Sequence, residues 1–208
     1  MSQILSLIAG LVVFFYPVAR GLLPFPGHLL VSFFSPFKEI TWPGYPTGVP
    51  RQDLLGFDTV RMMYPWQAFT TQELRSGRLP LWNPYSFAGA PHLANWQSAV
   101  FFPFNWLYLV LPQPIAWTML VLLQPILATV FMYLFLRQLK FKSSTAIIVS
   151  LAYGFSGWMS VWIEWNSLGF AYAFLPLALL LLDRLRPLVL LPLILITLSG
   201  HPQVSFIV

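Results

Sequence analysis

The sequence has 208 residues, of which 58% are hydrophobic and only 8% are charged, and its mean hydropathy is +0.73. Because a soluble domain usually has about 25% charged residues, this composition excludes an ordinary water-exposed surface and favours a protein embedded in a lipid bilayer. The formal net charge is +5, but the Lys and Arg residues lie in the first loop and in two short clusters, which argues against a nucleic-acid partner. The absence of Cys excludes disulfide bonds, and the scattered His residues give no zinc signature.

Apolar segments predict an all-α polytopic membrane protein. A membrane-spanning helix needs roughly 17–25 mostly apolar residues. Apolar segments of this length occur at residues 4–23, 114–136, 144–162 and 188–208, and a slightly shorter one at 168–182 is also interpreted as a span. No Lys or Arg precedes the first segment and no small-residue cleavage site follows it, so we interpret residues 1–23 as a retained first span. Residues 114–208 then form four further spans, and 1–208 form a single module. Because the last segment ends without a charged flank, we expect these residues to be the N-terminal part of a longer protein.

The short basic loops predict the orientation of the spans. Loops rich in Lys and Arg face the cytoplasm, and both 137–142 and 183–187 are such loops, with two spans between them. This places the N-terminus in the cytoplasm, and residues 24–98 and the turn at 163–167 outside. The apolar segment at residues 99–111 is too short for a span, and we predict an interfacial or re-entrant helix there.

The long external loop contains the first candidate residues. Residues 59–77 have the spacing of a helix that lies in the membrane interface. Asp58 precedes them, either as a helix N-cap or as a general base or divalent-cation ligand. The segment 79–85 (LPLWNPY) predicts a rigid turn that presents Trp82 and Asn83. Trp82 suits a membrane anchor, whereas Asn83 and Asn95 suit either a sugar or the backbone of a turn.

Two further candidates lie nearer the C-terminus. Glu164 occupies the short external turn, where it is either a functional carboxylate at the membrane edge or a charge that reaches water. His201 lies in the last apolar segment beside Pro202, where it either faces a cavity or forms hydrogen bonds between helices.

Several sequence blocks resemble the YfhO family of bacterial membrane proteins. The main block runs from Asp58 through residues 76–105 (SGRLPLWNPYSFAGAPHLANWQSAVFFPFN), and shorter ones are 152–157 (AYGFSG), 175–177 (LPL) and 199–203 (SGHPQ). The resemblance covers most of residues 50–208, whereas residues 24–50 do not align. The YfhO family in turn resembles the GT-C glycosyltransferases, which use polyprenyl-phosphate-linked sugars. The fold that this implies is GT-C-like, with about five transmembrane helices and a long external first loop that carries interfacial helices.

The resemblance also implies a mechanism. In GT-C enzymes an acidic residue of the first external loop is the catalytic base or a metal-linked carboxylate; Asp58 matches it, and Asp53 is the second choice. A Mg²⁺ or Mn²⁺ ion is the cofactor that this role allows, with Asp58 as its ligand. The anionic leaving group needs a cation, which Arg61, Arg75 or Arg78 can supply if they are not simply solvated. The remaining substrate-binding candidates are Trp82, Asn83, Tyr85, Asn95, Gln97, Glu164, His201 and Gln203.

The resemblance therefore implies a glycosyltransferase of the bacterial plasma membrane. It would transfer a sugar from a polyprenyl-phosphate donor to a cell-envelope acceptor on the external face. A lipid or polymer transporter and a scaffold without activity are the alternatives, and internal pseudo-repeats of the kind that transporters have are not visible. Membrane lipid is an expected partner in each case.

Overall fold

The computed structural model describes residue 13 and residues 15–49, 56–184 and 186–205. This part of the chain is predominantly helical. Its α-helices are α1 (Tyr16–Ala19), α2 (His28–Phe33), α3 (Gly56–Asp58), α4 (Tyr64–Arg75), α5 (Leu107–Val110), α6 (Gln113–Gln138), α7 (Ser143–Gly154), α8 (Gly157–Trp162), α9 (Leu168–Asp183), α10 (Leu190–Leu198) and α11 (Pro202–Ser205). Short 3₁₀ turns occur at Phe37–Glu39, Trp96–Ser98, Pro103–Trp106, Ile163–Trp165 and Pro187–Val189. Two short antiparallel strands, β1 (Trp82–Asn83) and β2 (Ala90–Pro91), form a hairpin.

The core is a bundle in which α6 packs between α7 and α9, and α10 packs on α9. Apolar side chains on all faces of α6 and α9 explain this arrangement, because such helices must be covered by other helices or by lipid. The buried centre combines aromatic rings with small residues, which let helix backbones approach closely. Its members include Trp117, Ala128, Met159, Phe170 and Ala173.

Two helical segments are long and apolar enough to cross a membrane, Gln113–Gln138 and Ser143–Trp165. Leu168–Asp183 and Pro187–Leu198 are apolar but shorter. Half of the predicted span 4–23 lies outside the described residues, whereas helices occur within each of the segments 114–136, 144–162, 168–182 and 188–208. The segment after Ser143 is interrupted at Phe155 and Ser156, where the Ser156 hydroxyl accepts a hydrogen bond from the Met159 amide and starts α8. Within the predicted span 188–208, α10 stops at Leu198 and the short helix α11 follows at Pro202–Ser205.

The structure replaces the predicted interfacial helix at 99–111 with two shorter pieces. Ala99 has a left-handed φ of 47°, and helical structure begins only at Pro103. Pro lacks an amide hydrogen and fits the first turn of a helix rather than its interior. For this reason the helical part of the segment is confined to Pro103–Trp106 and α5.

The predicted loop helix at 59–77 begins earlier and contains an irregular turn. It starts with α3, continues as a π-helical turn over Thr59–Met63, and ends with α4. Gly77, with a φ of 72°, takes the chain out of the helix. Asp58 thus lies within a helical segment and makes no capping hydrogen bond. Short π-helical turns are frequent at functional sites, and this one directly follows Asp58.

Candidate functional site

Several separate parts of the chain meet at the turn formed by residues 163–167, here called the external turn after the location that the sequence predicts for it. From the loop helix, the Thr59 hydroxyl donates a hydrogen bond to the Glu164 carbonyl oxygen at 3.3 Å. From the C-terminal side, the His201 Nε2 lies 3.0 Å from the Ser167 hydroxyl. These contacts bring the segments that contain Asp58, Glu164 and His201 to a common turn.

Asn166 holds the external turn through a buried polar network. Its φ of 56° is left-handed, a conformation that Asn adopts more readily than most residues. Its amide donates to the Tyr108 hydroxyl at 3.0 Å, and its carbonyl oxygen accepts from Gln124 Nε2 at 3.2 Å. The same Gln124 nitrogen donates to the Ile163 carbonyl at 3.1 Å. Burial raises the pKa of Tyr108 well above its ordinary value, so its hydroxyl stays neutral.

Sequence reasoning did not single out this network. Gln124 is a polar residue in the middle of a long apolar segment, and such residues commonly link helices within a membrane. That signal could have identified Gln124. Nothing in the sequence connects Asn166 with Tyr108, because 58 positions separate them.

Asp58 lies at the edge of the external turn, with a carboxylate that is partly open to solvent. Its Oδ1 is 3.2 Å from the Arg61 guanidinium, and the two side chains are 33% and 57% exposed. The Arg61 guanidinium also lies over the Phe57 ring, 5.6 Å from its centre. Thr59 beside it is fully buried. The Asp58 carboxylate and the Arg61 guanidinium therefore lie side by side, on a segment that the buried Thr59 side chain attaches to the external turn.

An apolar groove of about 210 Å³ is lined in part by Glu164. It lies between the segment that contains α1, the middle of α6 and the external turn, and Glu164 is half-buried in its wall. The other lining residues are Phe15, Pro17, Val18, Leu22, Leu23, Pro24, Val121 and Ile163. A groove of this largely apolar composition suits a hydrocarbon chain.

His201 forms hydrogen bonds between helices rather than facing an open cavity. It is 2% exposed, and it follows Gly200, whose φ of 105° breaks the chain direction after α10. In addition to its contact with Ser167, its Nδ1 lies 3.2 Å from the Gln203 amide nitrogen. Gln203 is thus a neighbour of His201, and both residues support the external turn.

Arg75 and Arg78 lie far from Asp58. With a helical rise of about 1.5 Å per residue, the loop helix separates them from Asp58 by roughly 20–25 Å. Arg78 forms a two-pronged ion pair with Glu73 at 2.9 and 2.7 Å, and this hydrogen bonding lowers the pKa of Glu73. Arg75 donates to the carbonyl oxygens of Tyr108 and Leu109. Of the three predicted cations, only Arg61 accompanies Asp58.

The Trp82–Asn83 turn forms a separate hairpin. Asn83 is buried, and its Oδ1 accepts a hydrogen bond from the Tyr85 amide at 2.9 Å, so it satisfies the backbone of the turn. Trp82 and Tyr85 are exposed, and the indole of Trp82 covers Gly89. His92, at the base of the hairpin, is buried, with Nε2 2.8 Å from the Thr70 hydroxyl, and burial lowers its pKa from 6.5 to about 4.

Asn95 and Gln97 contribute backbone rather than side-chain contacts. The Asn95 carbonyl oxygen accepts a hydrogen bond from the Ser98 hydroxyl at 2.8 Å. The Gln97 backbone packs against Gly200, where an added Cβ would lie 3.3 Å from it. Residues 95–98 therefore dock the loop onto the end of α10.

The described residues contain no group of three or more His, Asp or Glu side chains that could hold a metal ion. Asp53, the second-choice carboxylate, lies outside the described residues. A divalent ion at Asp58 would need most of its ligands from carbonyl oxygens, water or substrate.

Comparisons of the chain with family models, with curated proteins and with solved structures gave no match.

Proposed function

We propose that this chain is the catalytic part of a membrane glycosyltransferase that takes its sugar from a polyprenyl-phosphate donor. The observation that carries the proposal is the position of Asp58. Its partly exposed carboxylate lies beside the Arg61 cation, on a segment anchored at Glu164, which also lines an apolar groove. A lipid-linked sugar phosphate needs these three elements at one place: a base, a cation and an apolar channel.

In the proposed reaction, the polyprenyl chain occupies the groove and the sugar lies near Asp58. An acceptor hydroxyl oxygen forms a bond to the anomeric carbon while the bond from that carbon to the phosphate oxygen breaks. The acceptor proton passes to the Asp58 carboxylate. The released polyprenyl phosphate carries one more negative charge than the donor, and Arg61 stabilises that charge. The described side chains around Asp58 include no group of three metal ligands, so the reaction is written without a metal ion.

We place the reaction on the external face of the bacterial plasma membrane, in a multi-pass protein with a cytoplasmic N-terminus. The basic loops support this orientation, because Gln138 donates to Asp183 at 3.1 Å and accepts from Arg184. The loops 137–142 and 183–187 thus lie at the same end of the bundle. Asp58 and the external turn belong to the opposite end, on the side of residues 24–98.

The test is sugar transfer by the protein in proteoliposomes that contain polyprenyl-phosphate glucose, mannose or galactose with a radiolabel in the sugar. A cell-envelope extract supplies acceptors, and the label that leaves the lipid fraction is counted. We expect Asp58→Asn to lower transfer by about 100-fold or more, as loss of a general base does. Asp183→Asn makes the same chemical change at the opposite end and should leave transfer intact.

Transfer that persists in folded Asp58→Asn would overturn the proposal, as would absence of transfer from every labelled donor by the unchanged protein. In either case a transporter or a scaffold becomes the better interpretation. Folding of each variant is checked by its thermal unfolding in detergent.

A further inference from the structure

A second polar cleft lies at the far end of the loop helix, between α4 and the start of α6. Its volume is about 350 Å³, and it lies roughly 20–25 Å from Asp58 along the helix. Six of the residues that line it carry hydrogen-bonding groups, namely Thr71, Gln72, Arg75, Ser76, Tyr108 and Gln113, and the other three, Ala68, Leu111 and Pro112, are apolar. This composition differs from that of the groove at Glu164, which is almost entirely apolar.

Arg75 brings an uncompensated positive charge to this cleft. The neighbouring cations Arg61 and Arg78 each pair with a carboxylate, at 3.2 and 2.7 Å. The Arg75 guanidinium instead uses Nε and NH2 to donate to the carbonyl oxygens of Tyr108 and Leu109 at 3.0–3.3 Å. Those oxygens fix its orientation but carry no net charge. Within the described residues, NH1 makes no hydrogen bond, and a guanidinium has five N–H groups to donate.

Other groups in the wall are also available to a ligand. In the described part of the chain, neither the Thr71 hydroxyl nor the Gln72 amide forms a side-chain hydrogen bond. Gln113 donates through Nε2 to the Tyr64 carbonyl at 2.7 Å, which holds it against α4. The cleft thus combines one oriented cation with neutral donors and acceptors.

We propose that this cleft binds a phosphate ester whose phosphate contacts Arg75 and whose neighbouring hydroxyls contact Thr71 and Gln72. Planar guanidinium groups match phosphate oxygens in pairs, and the amide and hydroxyl suit a glycerol or sugar unit next to the phosphate. Either a lipid headgroup or a soluble phosphate ester has this chemistry. The site is separate from the one at Asp58 and does not depend on the proposed transfer reaction.

The experiment uses the absence of Cys from the chain. Ser76→Cys introduces one thiol at the exposed rim of the cleft, and its reaction rate with an uncharged maleimide is measured in detergent. We expect glycerol 1-phosphate and dioctanoyl phosphatidylglycerol to slow the reaction, and glycerol to leave it unchanged. If the lipid slows the maleimide reaction at lower concentrations than glycerol 1-phosphate does, the site binds a lipid headgroup. If the two probes are equally effective, the site binds a soluble phosphate ester.

A substitution of Arg75 distinguishes binding of the phosphate in the cleft from nonspecific protection of the thiol. Arg75→Gln in the Ser76→Cys background should weaken protection by about tenfold, because a charge-assisted hydrogen bond is lost. Arg78→Gln, which removes a cation already paired with Glu73, should not weaken it. If Arg75→Gln disturbs folding, Gln72→Ala serves as the second variant and should also weaken protection. Absence of protection by both phosphate probes, equal protection by glycerol, or protection that survives both substitutions would overturn the proposal.

Discussion

Thr59 and Glu164 lie 105 positions apart in the chain, and the Thr59 hydroxyl donates a hydrogen bond to the Glu164 carbonyl oxygen at 3.3 Å. This contact attaches the start of the loop helix to the turn between two apolar helices. Asp58 is the residue next to it, so the contact also fixes where the carboxylate lies relative to the groove. The geometry of the candidate site therefore depends on the hydrogen bond between the Thr59 hydroxyl and the Glu164 backbone. The carboxylates of Asp58 and Glu164 take no part in this bond.

Thr59→Val should destabilise the protein by about 1 kcal/mol, because it keeps the shape of the side chain and removes a buried hydrogen bond. Thermal unfolding in detergent, followed by tryptophan fluorescence, measures the effect. Thr118→Val is the matched control, since the Thr118 hydroxyl is exposed and donates only to Pro114 within the same helix. Equal unfolding temperatures for the two variants would contradict a role for the contact between Thr59 and Glu164.

Substitutions of Asn166 should separate its backbone role from its hydrogen bonds. Asn166→Gly keeps the left-handed φ without strain but removes the side-chain hydrogen bonds of Asn166 with Tyr108 and Gln124. We expect this loss to lower the unfolding free energy by about 1–3 kcal/mol. Asn166→Ala should lose about 1 kcal/mol more, because Ala is strained at that φ. Unfolding in a denaturant series measures both. Equal stabilities of the Gly and Ala variants would show that backbone strain does not matter here.

Gly154→Ala should destabilise the packing of α7 on α6. An added Cβ would collide with the Thr129 hydroxyl and would lie 2.8 Å from the Pro125 carbonyl oxygen. The oxygen belongs to the backbone and cannot move easily, so we expect a loss of about 1–3 kcal/mol. Gly157→Ala is the control, because nothing lies within 4 Å of the Cβ that it would add.

The double variant Gly154→Ala with Thr129→Ala tests the origin of that effect. Removal of the Thr129 hydroxyl eliminates one of the two collisions, so the added cost of Gly154→Ala should be smaller in that background. An unchanged cost would indicate that Pro125 alone limits the approach of the helices.

His92 should make the stability depend on pH in the mildly acidic range. Burial lowers its folded-state pKa from 6.5 to about 4, so between these values the unfolded chain binds a proton that the folded chain does not. The contribution is fully present above pH 6.5 and is lost as the pH falls towards 4. At about 1.4 kcal/mol per pKa unit, the loss is on the order of 3 kcal/mol. His92→Asn should flatten this part of the curve of unfolding free energy against pH, and an unchanged slope would contradict the assignment.

The sequence predicted the helical segments because their signals are local. The apolar segments at 114–136 and 168–182 lie within α6 and α9, since a long stretch without charge has few alternatives to a helix that lipid or other helices cover. Instead of the rigid turn predicted at 79–85, Trp82–Asn83 form the strand β1 and Asn83 is buried, because these residues pair with Ala90–Pro91; the turn follows at 84–88. The membrane orientation, the family resemblance and the catalytic role of Asp58 remain predictions.

By itself, the sequence determined the polarity pattern: which segments must avoid water, and where charges and prolines interrupt them. Only the tertiary structure decided that Arg75 contacts the carbonyl oxygen of Tyr108 and lines a cleft with it, because Tyr108 is 33 positions away in the sequence. It also assigned His201 to hydrogen bonds with Ser167 and Gln203, and joined Asn166 to Tyr108 and Gln124. Hydrophobic burial is encoded in short stretches of sequence, whereas hydrogen-bond partners are chosen by the packing of distant segments.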